Sequence, residues 1–213
     1  MCIRDSPNTF DEQRFTHGDP STLWRDTLSI PDDGKLMLSM CRVSTSESGK
    51  GYHRLLKLMP RLLEVHPNLY WVLGGKGDDL ENVRQTAEQL GVSEHCRFPG
   101  FIDDDTLPDL YRSADFFVLP SKKEGFGIVF LEAAATGLPV IAGNKDGSVD
   151  ALADGALGTL IDPENDDAIM NAIGDTIQSS PPNRQQLHED CVARFGKTAF
   201  KERLSDIIAQ YIS

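Results

Sequence analysis

The sequence predicts a three-layer α/β domain, a doubly wound parallel sheet with helices on both faces. Three observations carry this. From Lys35 onward, short apolar runs alternate with segments of helical periodicity; the apolar runs are nearly continuous; and Gly91 and Gly137 stand just past two of the helical segments. Strands covered on both faces lose the polar alternation of a half-exposed sheet, and parallel neighbours need a crossover helix. Glycine past the last helical residue is where a chain turns into left-handed backbone.

Pro7 to Gly34 is polar and broken by Gly18, Pro20 and Pro31, so it reads as a linker with at most a short helix around Leu23–Leu28. Leu36–Cys41 is a short apolar strand, and Tyr52–Val65 follows with Leu55, Leu56, Met59, Leu62 and Leu63 at helical spacing. Leu69–Leu73 is a strand and Asp79–Leu90 a helix stopped by Gly91. A short strand at Cys96–Phe98 precedes a short helix at Thr106–Ser113 and an apolar strand at Asp115–Leu119. Phe126–Thr136 is a helix, Pro139–Ala142 a strand, Val149–Ala153 a helical turn and Gly158–Ile161 the last strand. Three terminal helices are expected at Asp166–Gln178, Asn183–Phe195 and Thr198–Ile212. The division is therefore residues 1–34 ahead of a domain at residues 35–213. Met1-Cys2-Ile3-Arg4-Asp5-Ser6 reads either as an ordinary N-terminus or as the translation of a sequencing adapter, in which case the natural protein extends further upstream. It has no apolar core and is left out of the fold reading.

Composition narrows the function. A net charge of −12 over 213 residues argues against nucleic acid or an anionic membrane as partner. No apolar run approaches the roughly 18 residues that would signal a membrane span. The four cysteines (Cys2, Cys41, Cys96, Cys191) lack CxxC spacing, which excludes a zinc knuckle or disulfide framework and fits a reducing, cytoplasmic setting. The five histidines are equally scattered, and no metal site is expected.

In such a sheet the ligand crevice lies beyond the carboxyl ends of the strands. Arg42 ends the first, and Lys50 follows within Ser48-Gly49-Lys50-Gly51 just before a helix. Two cations at a helix N-terminus make a phosphate cradle, although on spacing alone solvated surface charges fit as well. Gly74-Gly75-Lys76-Gly77 ends the second strand, but Leu80 stands where a dinucleotide fingerprint needs its third glycine, and His95 and Cys96 where it needs an acid. A nicotinamide site is excluded there; a turn or a ligand contact both remain. After Leu119-Pro120-Ser121 come Glu124-Gly125-Phe126-Gly127 and then Glu132 in the second turn of a helix. Glu124 either caps that helix or points into the crevice to accept hydrogen bonds from vicinal hydroxyls. Glu132 is either solvated or an acceptor for a pair of hydroxyls such as those of ribose. An unpartnered carboxylate between Leu131 and Ala133 would be costly.

Glu124 and Glu132, set in Pro120-Ser121-Lys122-Lys123-Glu124-Gly125-Phe126-Gly127, Leu131-Glu132-Ala133 and Gly137-Leu138-Pro139-Val140, resemble the double-glutamate signature of retaining GT-B glycosyltransferases, the group 1 glycosyl transferase family. Arg42 with Lys50-Gly51, and Phe98-Pro99-Gly100-Phe101-Ile102, match two further family motifs in the right order. The resemblance runs from about Leu36 to Pro163 and implies a Rossmann-like C-terminal half of a GT-B fold that takes a nucleotide diphosphate sugar. It implies that Arg42 and Lys50 bind the donor diphosphate and that Glu124 contacts the sugar. Backbone groups of Gly125, Phe126 and Gly127 help there, Glu132 holds the ribose hydroxyls, and the backbone at Phe101 and Ile102 meets the base. No cofactor or divalent metal is implied.

Three positions depart from the pattern: Cys41 stands where a glycine commonly precedes the arginine, the Ser44–Ser48 loop is slightly long, and Asp150 replaces a usual glutamate. Pro7-Asn8-Thr9-Phe10-Asp11 resembles the family's interdomain linker, so the acceptor-binding N-terminal domain is expected to be missing and the chain alone inactive. A binding module without catalysis and a sugar-nucleotide epimerase are the rival readings. The base, sugar and acceptor are not readable.

Overall fold

β1 (Lys35–Met40) lies inside a six-stranded sheet, paired with β2 (Leu69–Gly74) on one side and β4 (Phe116–Leu119) on the other. In this computed structural model, which describes residues 8–19, 21–180 and 183–212, the strand order is β3-β2-β1-β4-β5-β6 and every pairing is parallel. β3 is Cys96–Gly100, β5 Val140–Gly143 and β6 Thr159–Ile161. The adapter-like residues 1–6 lie outside the described residues. All four residues of β4 and of β5 are buried, which is why these strands read as unbroken apolar runs.

Two cores result, one on each face. Leu36, Leu38, Phe117 and Leu119 point to one side with Phe130 and Leu131, whereas Met37, Trp71 and Phe116 point to the other with Leu55, Leu56 and Met59. The second face is covered by α2 (Tyr52–Val65), α3 (Leu80–Gln89) and α7 (Asp166–Gln178). The first is covered by α4 (Leu107–Ser113), α5 (Ile128–Ala135), α6 (Ser148–Ala151) and α8 (Arg184–Phe195). α9 (Lys197–Ile212) follows α8 directly. The Asn165 side chain accepts the N–H groups of Asp167 and Ala168 to start α7, and Asn183 accepts that of Gln186 to start α8. Inside the sheet the Trp71 indole donates to Ser39 Oγ at 3.0 Å, and that hydroxyl donates to the Val118 carbonyl at 2.5 Å, so both buried polar groups are paired.

The structure moves several boundaries. β3 continues through Pro99 to Gly100, two residues past the expected end, because an edge strand tolerates a residue with no N–H to give. α5 starts at Ile128, not Phe126, since Gly127 has φ +90° and cannot begin a helix. α6 starts at Ser148 and stops before Ala153 and Asp154, both of which have positive φ. The loop expected at Ser44–Ser48 lies mostly within a 3-10 turn, Thr45–Lys50.

The segment ahead of β1, read as a linker, is packed down. Phe10, Phe15 and Ile30 are buried, and α1 (Leu23–Thr27) is held by Trp24 Nε1 on the Thr106 carbonyl (3.1 Å) and by Arg25 on Asp115 (2.6 Å). Thr9 Oγ1 reaches the Phe195 carbonyl at 2.8 Å, so the described residues ahead of β1 pack over the first core.

Candidate functional site

In this strand order the chain runs outward in one direction from β1 to β3 and in the other from β4 to β6. The switch point, and the natural crevice, is therefore between the carboxyl ends of β1 and β4. The two loops that leave there are bound to each other, with the Lys122 N–H donating to the Gly49 carbonyl at 2.8 Å.

That contact brings Lys50 and Glu124 together. Lys50 Nζ donates to Glu124 Oε2 at 2.6 Å, and the two side chains are only 14% and 15% exposed. Lys50 is thus no solvated surface charge. Arg42 is different: its side chain is 73% exposed and its nearest carboxylate, Glu47, is 3.9 Å away. Both cations line one open cleft of about 350 Å³ together with Glu124, Phe126 and Gly127. Cys41 lines it too, as a protonated thiol, since burial pushes its pKa up to about 12.

Glu124 does not cap α5, whose N-cap is Gly127 with no side-chain hydrogen bond. Its loop is instead pinned by Asp146. Asp146 Oδ2 accepts the Glu124 N–H and the Ser121 hydroxyl, both at 2.8 Å, and Oδ1 accepts the Ser148 N–H at 3.0 Å and its hydroxyl at 2.6 Å. Gly125 gives its N–H to Glu124 Oε1 at 3.1 Å, but the N–H groups of Phe126 and Gly127 donate to no group among the described residues. Free amides at a helix start, next to two cations, form an anion-binding corner.

Glu132 is not on the wall of that cleft. It sits further along α5, half-buried, with Oε2 accepting the Tyr111 hydroxyl at 2.9 Å. Burial pushes its carboxyl pKa up, while the Tyr111 hydroxyl and Arg14 pull it down. It is not the solvated charge of the alternative reading. Phe101 is 59% exposed past the end of β3, with Lys76 Nζ 4.7 Å from its ring centre, and Ile102 is buried in the first core. A second cleft, of about 560 Å³, runs from Arg42 and Ser44 to Lys76 and Asp78, so Arg42 stands between the two.

The Gly74–Gly77 turn finds its reason in packing. Gly75 has φ +130°, and a Cβ there would run into the Cys41 carbonyl oxygen; one at Gly77 would meet that of Val43. The turn lets the β1 and β2 loops lie against each other, with Val43 N–H on the Lys76 carbonyl at 3.1 Å. Gly75→Ala should therefore lower stability by about 2 kcal/mol or more, read from the urea midpoint.

A basic groove of about 440 Å³ between α2 and α7 is a less suitable anion site. Most of its cations are already paired: Arg54 with Asp166 (2.6 Å), Arg61 with Asp167 (3.1 Å), and Lys122 with Glu164 (2.9 Å), whose pKa Lys122 and Lys145 hold at about 2. Sequence reasoning missed Lys76, which lines the second cleft, Tyr111, which holds Glu132, and Asp146, which pins the Glu124 loop. Asp146-Gly147-Ser148, a turn signature ahead of a helix, was the available signal for the last. Among the described residues no group of three or more His, Cys, Asp or Glu is placed to hold a metal, and no helix is long and apolar enough to cross a membrane.

Comparison with known proteins bears on the family and the fold. Residues 21–191 match the family model for glycosyl transferases group 1. An uncharacterized glycosyltransferase of Methanocaldococcus jannaschii is 38% identical over 146 residues, 68% of this chain but 36% of that relative's length. The C-terminal domain of LpcC, a glycosyl transferase group 1 family protein of Francisella tularensis, superimposes with TM-score 0.70 at 27% identity, over 86% of this chain and 96% of that one. Anabaena HepE in complex with UDP and glucose shares the fold, with TM-score 0.80 at 22% identity over 95% of this chain and 55% of that one. The chain thus spans about a third of the curated relative's length and about half of HepE, and it belongs to the glycosyl transferases group 1 family.

Proposed function

We propose that this chain binds the nucleotide diphosphate sugar donor of a retaining glycosyl transfer, at the cleft between the ends of β1 and β4. One observation carries the reading: a largely buried Lys50–Glu124 ion pair beside an exposed Arg42 and the free amides of Phe126 and Gly127. In the free protein Glu124 occupies Lys50. An arriving diphosphate takes Lys50 and Arg42, which releases the Glu124 carboxylate to accept hydroxyls of the sugar. As the glycosidic bond breaks, charge grows on the leaving diphosphate, where fixed cations and amides stabilise it. With that charge covered by side chains, the reaction needs no divalent metal. The UDP bound in the HepE complex supports a nucleoside diphosphate as ligand. Transfer itself requires an acceptor-binding domain; the chain's match to about half of HepE and to nearly all of the LpcC C-terminal domain supports that division.

Thermal denaturation of the chain with UDP, GDP, ADP or their sugar conjugates, and NAD as control, tests this. One nucleoside diphosphate at 100 times its Kd should stabilise the fold by about 2.7 kcal/mol. Stabilisation by NAD alone, or by none of them, would argue against a donor site here.

A further inference from the structure

Asp79 stands at the cap of α3, where an aspartate ordinarily accepts one of the first helical N–H groups, yet its side chain makes no such bond. It is 2% exposed and turned toward α2 instead. Oδ2 accepts the Tyr52 hydroxyl at 2.7 Å and lies 2.5 Å from His53 Nε2, and Oδ1 accepts the Asn82 amide at 2.9 Å. Burial alone would raise the carboxyl pKa, but Tyr52, Asn82 and His53 outweigh it and hold Asp79 below its ordinary value, ionised. Tyr52 is fully buried, and burial together with this carboxylate keeps the proton on its oxygen. That proton faces a second acceptor as well, the Ser44 carbonyl at 3.0 Å.

These contacts meet at the two ends of one loop, residues 42–51. At its start the Val43 carbonyl accepts the Asp79 N–H, and the Val43 N–H donates to the Lys76 carbonyl, both at 3.1 Å. At its end Tyr52 and His53 are the first residues of α2 and follow Lys50-Gly51 directly. Between the ends, the Thr45 N–H and hydroxyl donate to the Asp78 carboxylate at 3.1 and 2.9 Å. Arg42 and Lys50 both line the first cleft. We propose that Asp79 is a positioning residue for the donor diphosphate: by holding Tyr52 against Ser44 it ties the two ends of this loop together and fixes the spacing of the two cations. This rests on the donor-site reading above. The consequence is selective. A monophosphate can be met by Lys50 alone, whose place Glu124 and the Gly49 to Lys122 contact already fix. A diphosphate must reach Arg42 as well, which is 73% exposed and 3.9 Å from its nearest carboxylate. The place of Arg42 is therefore set by the backbone anchored at Val43 and Ser44, and a loop ordered before binding loses less freedom in the complex.

Tyr52→Phe removes the bridging hydroxyl and keeps the ring. Affinities for UDP, GDP and ADP and for UMP, GMP and AMP are measured by calorimetry, and stability by urea denaturation. The unaltered chain should bind its preferred diphosphate about tenfold or more tightly than the matching monophosphate, the effect of one further charge-assisted hydrogen bond. Tyr52→Phe should bring that ratio to about threefold or less, with the monophosphate affinity within about twofold of the unaltered chain's. Asp79→Ala should do the same, whereas Asp79→Asn, whose amide oxygen can still accept the Tyr52 hydroxyl, should keep most of the ratio. Should Asp79→Ala not fold, Tyr52→Phe reads the same bond on its own. If Tyr52→Phe leaves the ratio unchanged, or lowers both affinities equally, the network is merely structural whatever the fall in stability, and the proposal fails. Equal affinity for the two phosphate forms in the unaltered chain also overturns it, while leaving a nucleotide site in place. If no nucleotide binds at all, the donor-site reading falls along with it.

Discussion

Lys50→Ala should weaken nucleoside diphosphate binding by about 1.5–3 kcal/mol, roughly 10- to 150-fold, the range for one charge-assisted hydrogen bond. The geometry places the loss at this residue and not equally at Arg42. Lys50 is 14% exposed, so its charge is poorly screened and its position is fixed by the Gly49 to Lys122 contact. Arg42, at 73% exposure, must give up side-chain freedom to reach a ligand, and Arg42→Ala should cost less, about 1 kcal/mol or below. The same substitution at Lys50 leaves Glu124 without its cation in a cleft where a diphosphate arrives, so the residual effect is repulsive. Glu124→Gln separates the two terms: it removes the negative charge and frees Lys50, and diphosphate alone should then bind at least as well as before. Isothermal titration of the three variants reads all of this. Unchanged affinity in Lys50→Ala would remove the residue from the site.

Asp146→Ala should lower the stability of the chain by about 2–4 kcal/mol, measured by urea denaturation. Four hydrogen bonds end on this one carboxylate, from the Ser121 hydroxyl, the Glu124 N–H, and both the N–H and hydroxyl of Ser148. Ser121 and Ser148 are fully buried, so their hydroxyls would lose an acceptor where water does not readily replace it. The two serines lie 3.2 Å apart and can satisfy each other in part, which limits the loss. Because Asp146 holds the loop that carries Glu124, nucleotide binding should fall as well. A variant that loses stability by less than 1 kcal/mol would show that the loop is held by its backbone alone.

The elements were legible where a single pattern decides. The period of Leu55, Leu56, Met59 and Leu62 predicts α2 to the residue, because these side chains are the ones that reach the core beneath the sheet. The fully apolar β4 was equally plain. Boundaries slipped where one backbone angle or one missing hydrogen overrides the pattern: Gly127 delays α5 by two residues, and Pro99 is admitted to β3 because the strand is at the edge. The packed segment before β1 was read as a linker because its polar surface residues outnumber the three that matter, Phe10, Phe15 and Ile30.

The site shows the same division. Arg42, Lys50 and Glu124 stand out by position near strand ends, and all three together with Glu132 by the family motif. That Lys50 holds Glu124, 74 positions away, follows only once β1 and β4 are neighbours, and alternation does not fix strand order. Tyr111 reads as an ordinary core aromatic of a short helix; that its hydroxyl meets Glu132 depends on which residue of α5 lies opposite, a matter of packing between helices. Glu132 was expected with the other donor residues but lies outside the cleft wall, one helical turn along α5 from Ile128.

A nucleoside diphosphate held between the ends of β1 and β4 would perturb the backbone of the loops that leave there. Mapping of backbone amide chemical shifts, with the chain titrated by whichever of UDP, GDP or ADP stabilises it, tests this most directly. The largest shifts are expected at Arg42, Lys50 and Gly125 to Gly127, with a second group at Phe101 and Ile102. Shifts confined instead to the groove of Arg54, Arg61 and Lys122 between α2 and α7, or to the amino ends of the strands, would contradict it.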